Sequence, residues 1–548
     1  MCREALVLRR RHTGGSLALL AVAFVLLGPA LDRPPSFLSH PRAAFAGPYD
    51  TGRNDADIPL LTTNAPVARE LAAGESHAYQ VALDSGQYFH AIIEQQGTDA
   101  GVTLDGPGGR KLIQLDCRRR EPTPLSLIAD VSGTYRLEVR SLEEKDARGR
   151  YDLRVVEIRA ATEKDKYRIA AEKFFAEGEQ LLKEGESESS RSAVNKYKEA
   201  ISASRAANDL KEEAHALKRI GDIHLSLSEY QDALSYYKQA LSAGRGANDR
   251  QVEGEAVNGV AYVYLTLGQN EKALALCARA LKIGRAARDR RAEAQAINNI
   301  GEIQYGLGHL PRSIDFFQQA LSIWRELGDR HGQALAFLNI GYTYSDLGRS
   351  REAFDAYNQA LALWQATHDR RGEAVTLTAI GRLYARVGES QEALDFFERA
   401  MPLIRRVGDA VEEARVFTGM AFIYGRVEEK QRALNYYDRA LALFRRADYL
   451  NGAASTLGSA GKVYYSLGDS QKALEYHRQA LSIFRAINDH RLEVSELKEI
   501  GRVYDFQGDK TAALKNYLLA LSFERAQKDL REEADTLNLT GRVYEDQG

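Results

Sequence analysis

The 548 residues predict a mainly α protein, an α-solenoid of helical hairpins preceded by a small antiparallel β-sandwich. Three observations lead there. From about residue 171 onward one pattern returns every 40 residues. It shows best in a column of small residues, Gly221, Ala261, Gly301, Gly341, Gly381, Ala421, Gly461, Gly501 and Gly541, with nothing gained or lost between them. A fixed period of this size marks stacked supersecondary units. Between residues 60 and 158 the pattern is instead one of short runs that alternate apolar and polar residues. The composition, 27% charged and 44% hydrophobic, is that of an ordinary globular chain, and a net charge of −2 gives no general attraction to nucleic acid.

Residues 1–46 read as a signal peptide or N-terminal anchor. Arg3, Arg9, Arg10 and Arg11 form a positive head, and Ser16 to Leu31 is an apolar run short for a membrane span. Ala44-Phe45-Ala46 before Gly47 suits a signal peptidase, with Ala30 as a second site. Export to the periplasm or the medium is the expectation, with membrane attachment only if the segment stays uncleaved. Pro34, Pro35 and Pro41 then prevent a helix.

Residues 60–158 form the sandwich. Runs 78–83, 88–93, 111–115, 134–139 and 151–156 alternate so that one face of each strand turns inward. Asp84-Ser85-Gly86, Gly106-Pro107-Gly108-Gly109 and Ser132-Gly133 supply the turns. This stretch resembles the bacterial pre-peptidase C-terminal domain. The resemblance rests on Gly86-Gln87, on Leu104 to Gly109, on Gly133-Thr134-Tyr135-Arg136-Leu137 and on Gly149-Arg150-Tyr151. It implies an accessory, non-catalytic β-sandwich on an exported protein.

Residues 160–210 hold a linker helix and an irregular first repeat. Ile169, Ala170, Phe174, Phe175, Leu181 and Leu182 recur at helical spacing, and Gly185 to Ser190 reads as a turn out of phase with the later repeats. Residues 211–548 are the regular repeats, the last one incomplete. In each, the column of Leu217 is large and apolar and the column of Ala240 is alanine. Small residues at Gly221, Ala233 and Ala240 let helices cross closely, where a larger side chain would cost about 1–3 kcal/mol. Leu267-Gly268, Leu307-Gly308, Leu347-Gly348 and Leu467-Gly468 close first helices with a left-handed glycine. Asp249, Asp289, Asp329 and Asp369 stand as N-caps, with Glu253, Glu293, Gln333 and Glu373 in the first turn.

Position by position the unit resembles the tetratricopeptide repeat. The 40-residue period is similar to the long-helix variety of kinesin light chains and Pins-type scaffolds, which implies a concave groove that holds extended peptide segments. Helical spacing puts the columns of His215, Lys218, Asp222, Leu225 and Ser226 on that face. Early units offer Asn258, Tyr262, Asn298, Glu302 and Tyr342; later ones offer Arg382, Arg386, Arg415, Arg426, Lys462 and Arg502. The groove thus changes from polar and aromatic to basic along its length, which suits acidic side chains or a terminal carboxylate. A merely solvated helix face would carry the same charges.

The chain offers little for catalysis. Gly106 to Lys111 lacks the Gly-Lys-Ser/Thr ending of a phosphate loop and no helix comes after it. The histidines are scattered, with His224 and His477 in aromatic packing columns. Cys277 replaces Tyr237 of its column and should be buried and inert; Cys117 lies beside Arg118-Arg119-Arg120. No catalytic, metal or cofactor residues are assigned and no cofactor is expected. The expected role is a protein-protein interaction scaffold outside the cytoplasm, with a protein or peptide partner. The final helix, ending at Gly548, has an apolar stripe of Leu537, Val543 and Tyr544 and no partner helix after it. The order of leader, sandwich and repeats resembles bacterial proteins with a C-terminal CHAT domain, a caspase-like fold. The alternative is therefore the docking arm of a CHAT protease whose catalytic part lies beyond residue 548.

Overall fold

The computed structural model describes residues 58–63, 65–96, 100–117, 123–142, 148–527 and 530–546. All belong to one compact unit, Ile58–Gly548. Residues 1–46, where a signal peptide or anchor is expected, and Arg118 to Arg120 lie outside the described residues.

Among the described residues eight strands make two antiparallel sheets: β1 Val67–Ala72, β2 Ser76–Leu83, β3 Gln87–Gln96, β4 Ala100–Asp105, β5 Lys111–Cys117, β6 Thr123–Ile128, β7 Gly133–Ser141 and β8 Arg148–Ala160. One sheet has the order β1-β8-β3-β6, the other β2-β7-β4-β5. Alternation does what it predicts. Tyr79, Val81, Leu137 and Val139 of one sheet meet Phe89, Ala91, Ile93, Leu153 and Val155 of the other in a single core. The glycine-rich stretch turns β4 into β5, with Gly108 and Gly109 at positive φ and Gly106 N–H donating to the Arg110 carbonyl at 2.8 Å.

Among the described residues nineteen helices succeed the strands. They are α1 Glu163–Leu182, α2 Ser187–Ala207, α3 Leu210–Ser226, α4 Tyr230–Gly246, α5 Arg250–Thr266, α6 Asn270–Ala287, α7 Arg290–Gly306, α8 Leu310–Glu326, α9 Arg330–Asp346 and α10 Ser350–Ala366. Then come α11 Arg370–Val387, α12 Ser390–Val407, α13 Ala410–Arg426, α14 Lys430–Arg446, α15 Leu450–Ser466, α16 Ser470–Ala486, α17 His490–Phe506, α18 Lys510–Gln527 and α19 Leu530–Glu545. Odd helices pair with the even helices after them as hairpins, and each hairpin packs on the next. None of the described helices is long and apolar enough to cross a membrane.

The small-residue column works by close approach. A Cβ on Gly221 would lie 2.8 Å from the Tyr237 ring, and one on Gly259, from the next hairpin, 2.6 Å from the same ring. Helix α1 belongs to this scheme: a Cβ on Gly178 would sit 2.9 Å from Tyr197. It therefore packs as the first helix of a hairpin with α2. It looks out of phase because its glycine comes three residues early and α2 starts three residues early.

Caps set the ends. Asp249 Oδ1 accepts from the Gln251 and Val252 N–H at 3.0 and 3.1 Å, and Asp369 Oδ1 from the Gly372 N–H at 2.8 Å. At the same turns a second pair recurs, Arg205–Glu213, Arg245–Glu253, Arg285–Glu293, Arg405–Glu413, Arg485–Glu493 and Arg525–Glu533, each at 2.7–3.3 Å.

Strand β8 feeds α1 almost directly. Arg159 on β8 donates twice to Asp165, at 2.7 and 2.8 Å, and that pairing holds the carboxyl well below the usual range. Farther along α1, Glu172 accepts from Ser126 Oγ of β6 at 2.6 Å, and His90 Nδ1 meets the same hydroxyl at 2.8 Å. Burial pushes the Glu172 carboxyl up to about 8. The sandwich is thus fastened to the first hairpin by buried polar contacts.

Candidate binding lumen

The inner face of the solenoid lines a cavity of about 3170 Å³. One wall comes from the C-terminal halves of α3, α5, α7 and α9, which present Asp222, Asn258, Tyr262, Asn299, Glu302 and Tyr342. The opposite wall comes from the N-terminal ends of α11, α13 and α15 with the loops before them, which present Arg371, Asp409, Glu412, Arg415 and Tyr449. The hairpins curve until about five repeats bring one wall to face the other.

The first wall is a polar network. Asn298, fully buried, donates to Glu302 Oε1 at 2.8 Å; Asn339 donates to the same oxygen at 3.0 Å and to Asn298 Oδ1 at 3.1 Å. Burial pushes the Glu302 carboxyl up to about 7, against the two amides that lower it. The Glu302 charge, then burial, raise the phenol of Tyr262, and burial pushes Tyr342 up to about 12. Asn258 donates to the Ala292 carbonyl at 3.2 Å, but its Oδ1 has no hydrogen-bond partner, nor has Asn299 Nδ2. Both side chains are buried, at 4% and 1% exposure.

The second wall carries charge. Arg371 pairs with Asp409 at 2.9 Å, and Arg415 with Glu412 at 3.0 Å. The other Glu412 oxygen, Oε1, is buried without a partner, and burial raises that carboxyl. Arg415 also reaches the Tyr449 hydroxyl at 3.4 Å.

Of the residues singled out from sequence, Asn258, Tyr262, Glu302, Tyr342 and Arg415 line the cavity together. Asn298 stands behind them. The others are not part of that lining: Arg382 is exposed, within electrostatic reach of Tyr342 and Glu412, Arg386 pairs with the lining residue Asp346 at 3.1 Å, and Arg426 donates to the Ala385 carbonyl at 2.9 Å. Lys462 and Arg502 share Glu499, at 3.3 and 2.7 Å. Arg371, Asp409, Glu412 and Tyr449 were missed. They begin helices or precede them, off the expected groove columns, and only the curvature turns them inward.

Chemistry elsewhere is sparse. His224, Glu229 and Asp232 bring three donor atoms within 4.8 Å of one another, yet Glu229 is already bonded to His224 Nδ1 at 2.6 Å and to Arg191 at 2.6 Å. Cys277 is fully buried, and burial pushes its thiol up to about 12. His477 is buried against Glu496 at 2.7 Å.

No curated protein matches the chain. Among solved structures it is similar to a Rap protein complexed with competence and sporulation factor, at 14% identity and a TM-score of 0.47, over 60% of this chain and 99% of that one. It is similar to BtubC (BKLC) from P. vanneervenii at 24% identity and 0.34, over 40% and 92%. Apo RapI matches at 19% and 0.39, over 50% and 99%. One tetratricopeptide repeat family model matches residues 254–326, 310–366, 332–406, 412–486 and 452–526, and a second matches 216–251. Together they span more than half of the sequence, and the chain belongs to the tetratricopeptide repeat family.

Proposed function

We propose that this protein is a binding scaffold that holds an extended polypeptide segment in the lumen, and that it works outside the cytoplasm. The carrying observation is the polar and aromatic lining of a large lumen, to which Tyr262, Glu302, Tyr342, Arg371 and Arg415 all contribute. A hydrogen bond between such a lining group and a ligand contributes about 0.5–1.5 kcal/mol. A main-chain amide offers one donor and one acceptor per residue, which matches side-chain carboxamides. The volume of about 3170 Å³ also exceeds the roughly 300–1,000 Å³ of small-molecule pockets. The basic n-region and apolar run before residue 46 support export.

The test is a titration of randomised acidic, basic and neutral peptide libraries against the protein. Selected peptides should bind Tyr262→Phe and Tyr342→Phe, at two partly exposed lining hydroxyls, about five- to tenfold more weakly, as one lost hydrogen bond implies. Unchanged affinity in both variants would refute binding at this wall.

A further inference from the structure

Along one side of the lumen, parts of the chain far apart in sequence touch each other. Loops that join first to second helices meet loops that join one hairpin to the next, about five repeats later. Ser228 Oγ donates to Asp409 Oδ1 at 3.0 Å, and both residues are buried. Tyr230 packs against Tyr449 with ring centroids 6.2 Å apart. Arg406 pairs with Glu186 at 2.6 Å, and Arg370 donates to the Glu184 carbonyl at 2.7 Å. A Cβ on Gly268 would touch Ile487 at 3.6 Å. These points form a seam, and part of it is core: Tyr230 and Leu234 share one hydrophobic cluster with Phe417, Phe444 and Leu457.

Gly408 shows how tightly the seam is fitted. Its φ is +78, a left-handed conformation that the chain gives to Asn208, Asn248 and Asn488 at the matching positions of other repeats. Backbone conformation alone therefore does not demand glycine. Contact does: a Cβ on Gly408 would lie 2.6 Å from Ser187 Cβ, across the seam. The exposed Arg406–Glu186 pair contributes little energy, so the seam rests chiefly on the buried Leu227, Ser228 and Tyr230 against Asp409 and Tyr449.

We infer that the seam makes the lumen a closed sleeve, which takes an extended polypeptide end-on and refuses a folded domain. This deepens the proposed function and rests on it for the ligand, but closure itself is testable without one. The reporter is Tyr262→Cys in the full chain, since Tyr262 lines the lumen and is partly exposed to it. The exposed Lys238→Cys on the outer surface is the control. Each is labelled with iodoacetamide and with a maleimide joined by a short linker to a small folded protein, and modification is read at that residue by peptide mass spectrometry.

In the intact seam, residue 262 should react with iodoacetamide but at least tenfold more slowly than residue 238 with the carrier-borne maleimide. Gly408→Asn with Arg406→Glu should raise the carrier rate at 262 toward that at 238. Adding Ser187→Gly and Glu186→Arg, which restores space and charge pairing, should bring protection back. Equal carrier rates at 262 and 238 in the intact seam would overturn the inference, even if the seam variants failed to fold. Carrier protection that persists in folded seam variants would overturn the role of these contacts. A closed sleeve with no library peptide bound would instead refute the peptide reading and leave closure standing.

Discussion

The same substitution should have opposite signs at two positions of one sequence column. At Gly221 an added methyl would lie 2.8 Å from Cδ1 and Cε1 of Tyr237. The ring cannot retreat. It is 2% exposed, its hydroxyl donates to Asp222 Oδ1 at 2.8 Å, and Gly259 of the next hairpin packs so closely on it that a Cβ there would come within 2.6 Å. Overpacking therefore costs about 1–3 kcal/mol, against about 1 kcal/mol gained in helix propensity when Ala replaces Gly. The net is a loss of about 0–2 kcal/mol. At Gly541 no atom lies within 4 Å of the added methyl, so Gly541→Ala keeps the propensity gain of about 1 kcal/mol. Repeat arrays open locally, so hydrogen exchange read by mass spectrometry suits the comparison. The exchange of α19 should slow about fivefold in Gly541→Ala, whereas that of α3 and α4 should stay level or quicken by up to about thirtyfold in Gly221→Ala. Equal stabilisation at both sites would refute close helix approach as the reason for the column.

Glu253 binds Arg245, Arg250 and Arg279 with a side chain 5% exposed. Because those arginines are 40–64% exposed, Glu253→Gln should cost only about 1–2 kcal/mol in urea unfolding. Burial raises this carboxyl, but the arginine hydrogen bonds outweigh it and the net shift is downward. Its stabilisation is thus present above the unfolded carboxylate pKa and lost as pH falls through the folded one, so the variant should flatten the acid limb of stability against pH. Glu172 has the opposite sign. With its carboxyl raised to about 8, its contribution is full below the unfolded value near 4.5 and lost as pH rises through 8. Exchange at β6 and α1, corrected for intrinsic rates, should quicken over that window, and Glu172→Gln should remove the trend despite the nearby His90, Asp209 and Glu212. Cys277, at about 12, should alkylate roughly three orders of magnitude more slowly than a free thiol at pH 8 until urea exposes it; rapid labelling of the native protein would contradict its burial.

What could be read from sequence was whatever depends on near neighbours. The glycine and alanine columns, the Asp caps and the alternating strands act within one hairpin or one strand pair, and each lies where its pattern put it. The recurrent Arg–Glu pairs were equally legible, as two columns eight residues apart, but reading Glu253 and Glu293 only against the helix dipole hid them. Strands β1 and β6 are not marked by alternation. Leu125, Ser126 and Leu127 of β6 are all buried, because α1 covers the face that would otherwise meet solvent. The second wall of the lumen was beyond reach for another reason. Ser228 and Asp409 stand 181 residues apart, and nothing local in either announces the other. Gly408 carries no signal either, since its column holds asparagine at 208, 248 and 488 but glycine again at 328.

Closure of the seam depends on the constancy of the period. Each hairpin turns the chain by the same increment when each has the same length, and contacts at separations of 181 to 220 residues require about five such increments to add without error. A change of loop length inside that span adds an error at one step and carries it to every hairpin beyond. Two glycines inserted after Gly308, between the seam partners, should therefore separate Glu186 from Arg406 and Ser228 from Asp409. The same insertion after Gly508 lies beyond those partners and should leave them joined. Loop insertions cost little in closure entropy, about 0.6 kcal/mol per doubling of length, so both proteins should fold. Hydrogen exchange at residues 184–190 and 406–411 reads the outcome. Quickening only with the Gly308 insertion is expected; equal protection in both proteins would mean that the seam is held by local packing and owes nothing to the unbroken 40-residue repeat.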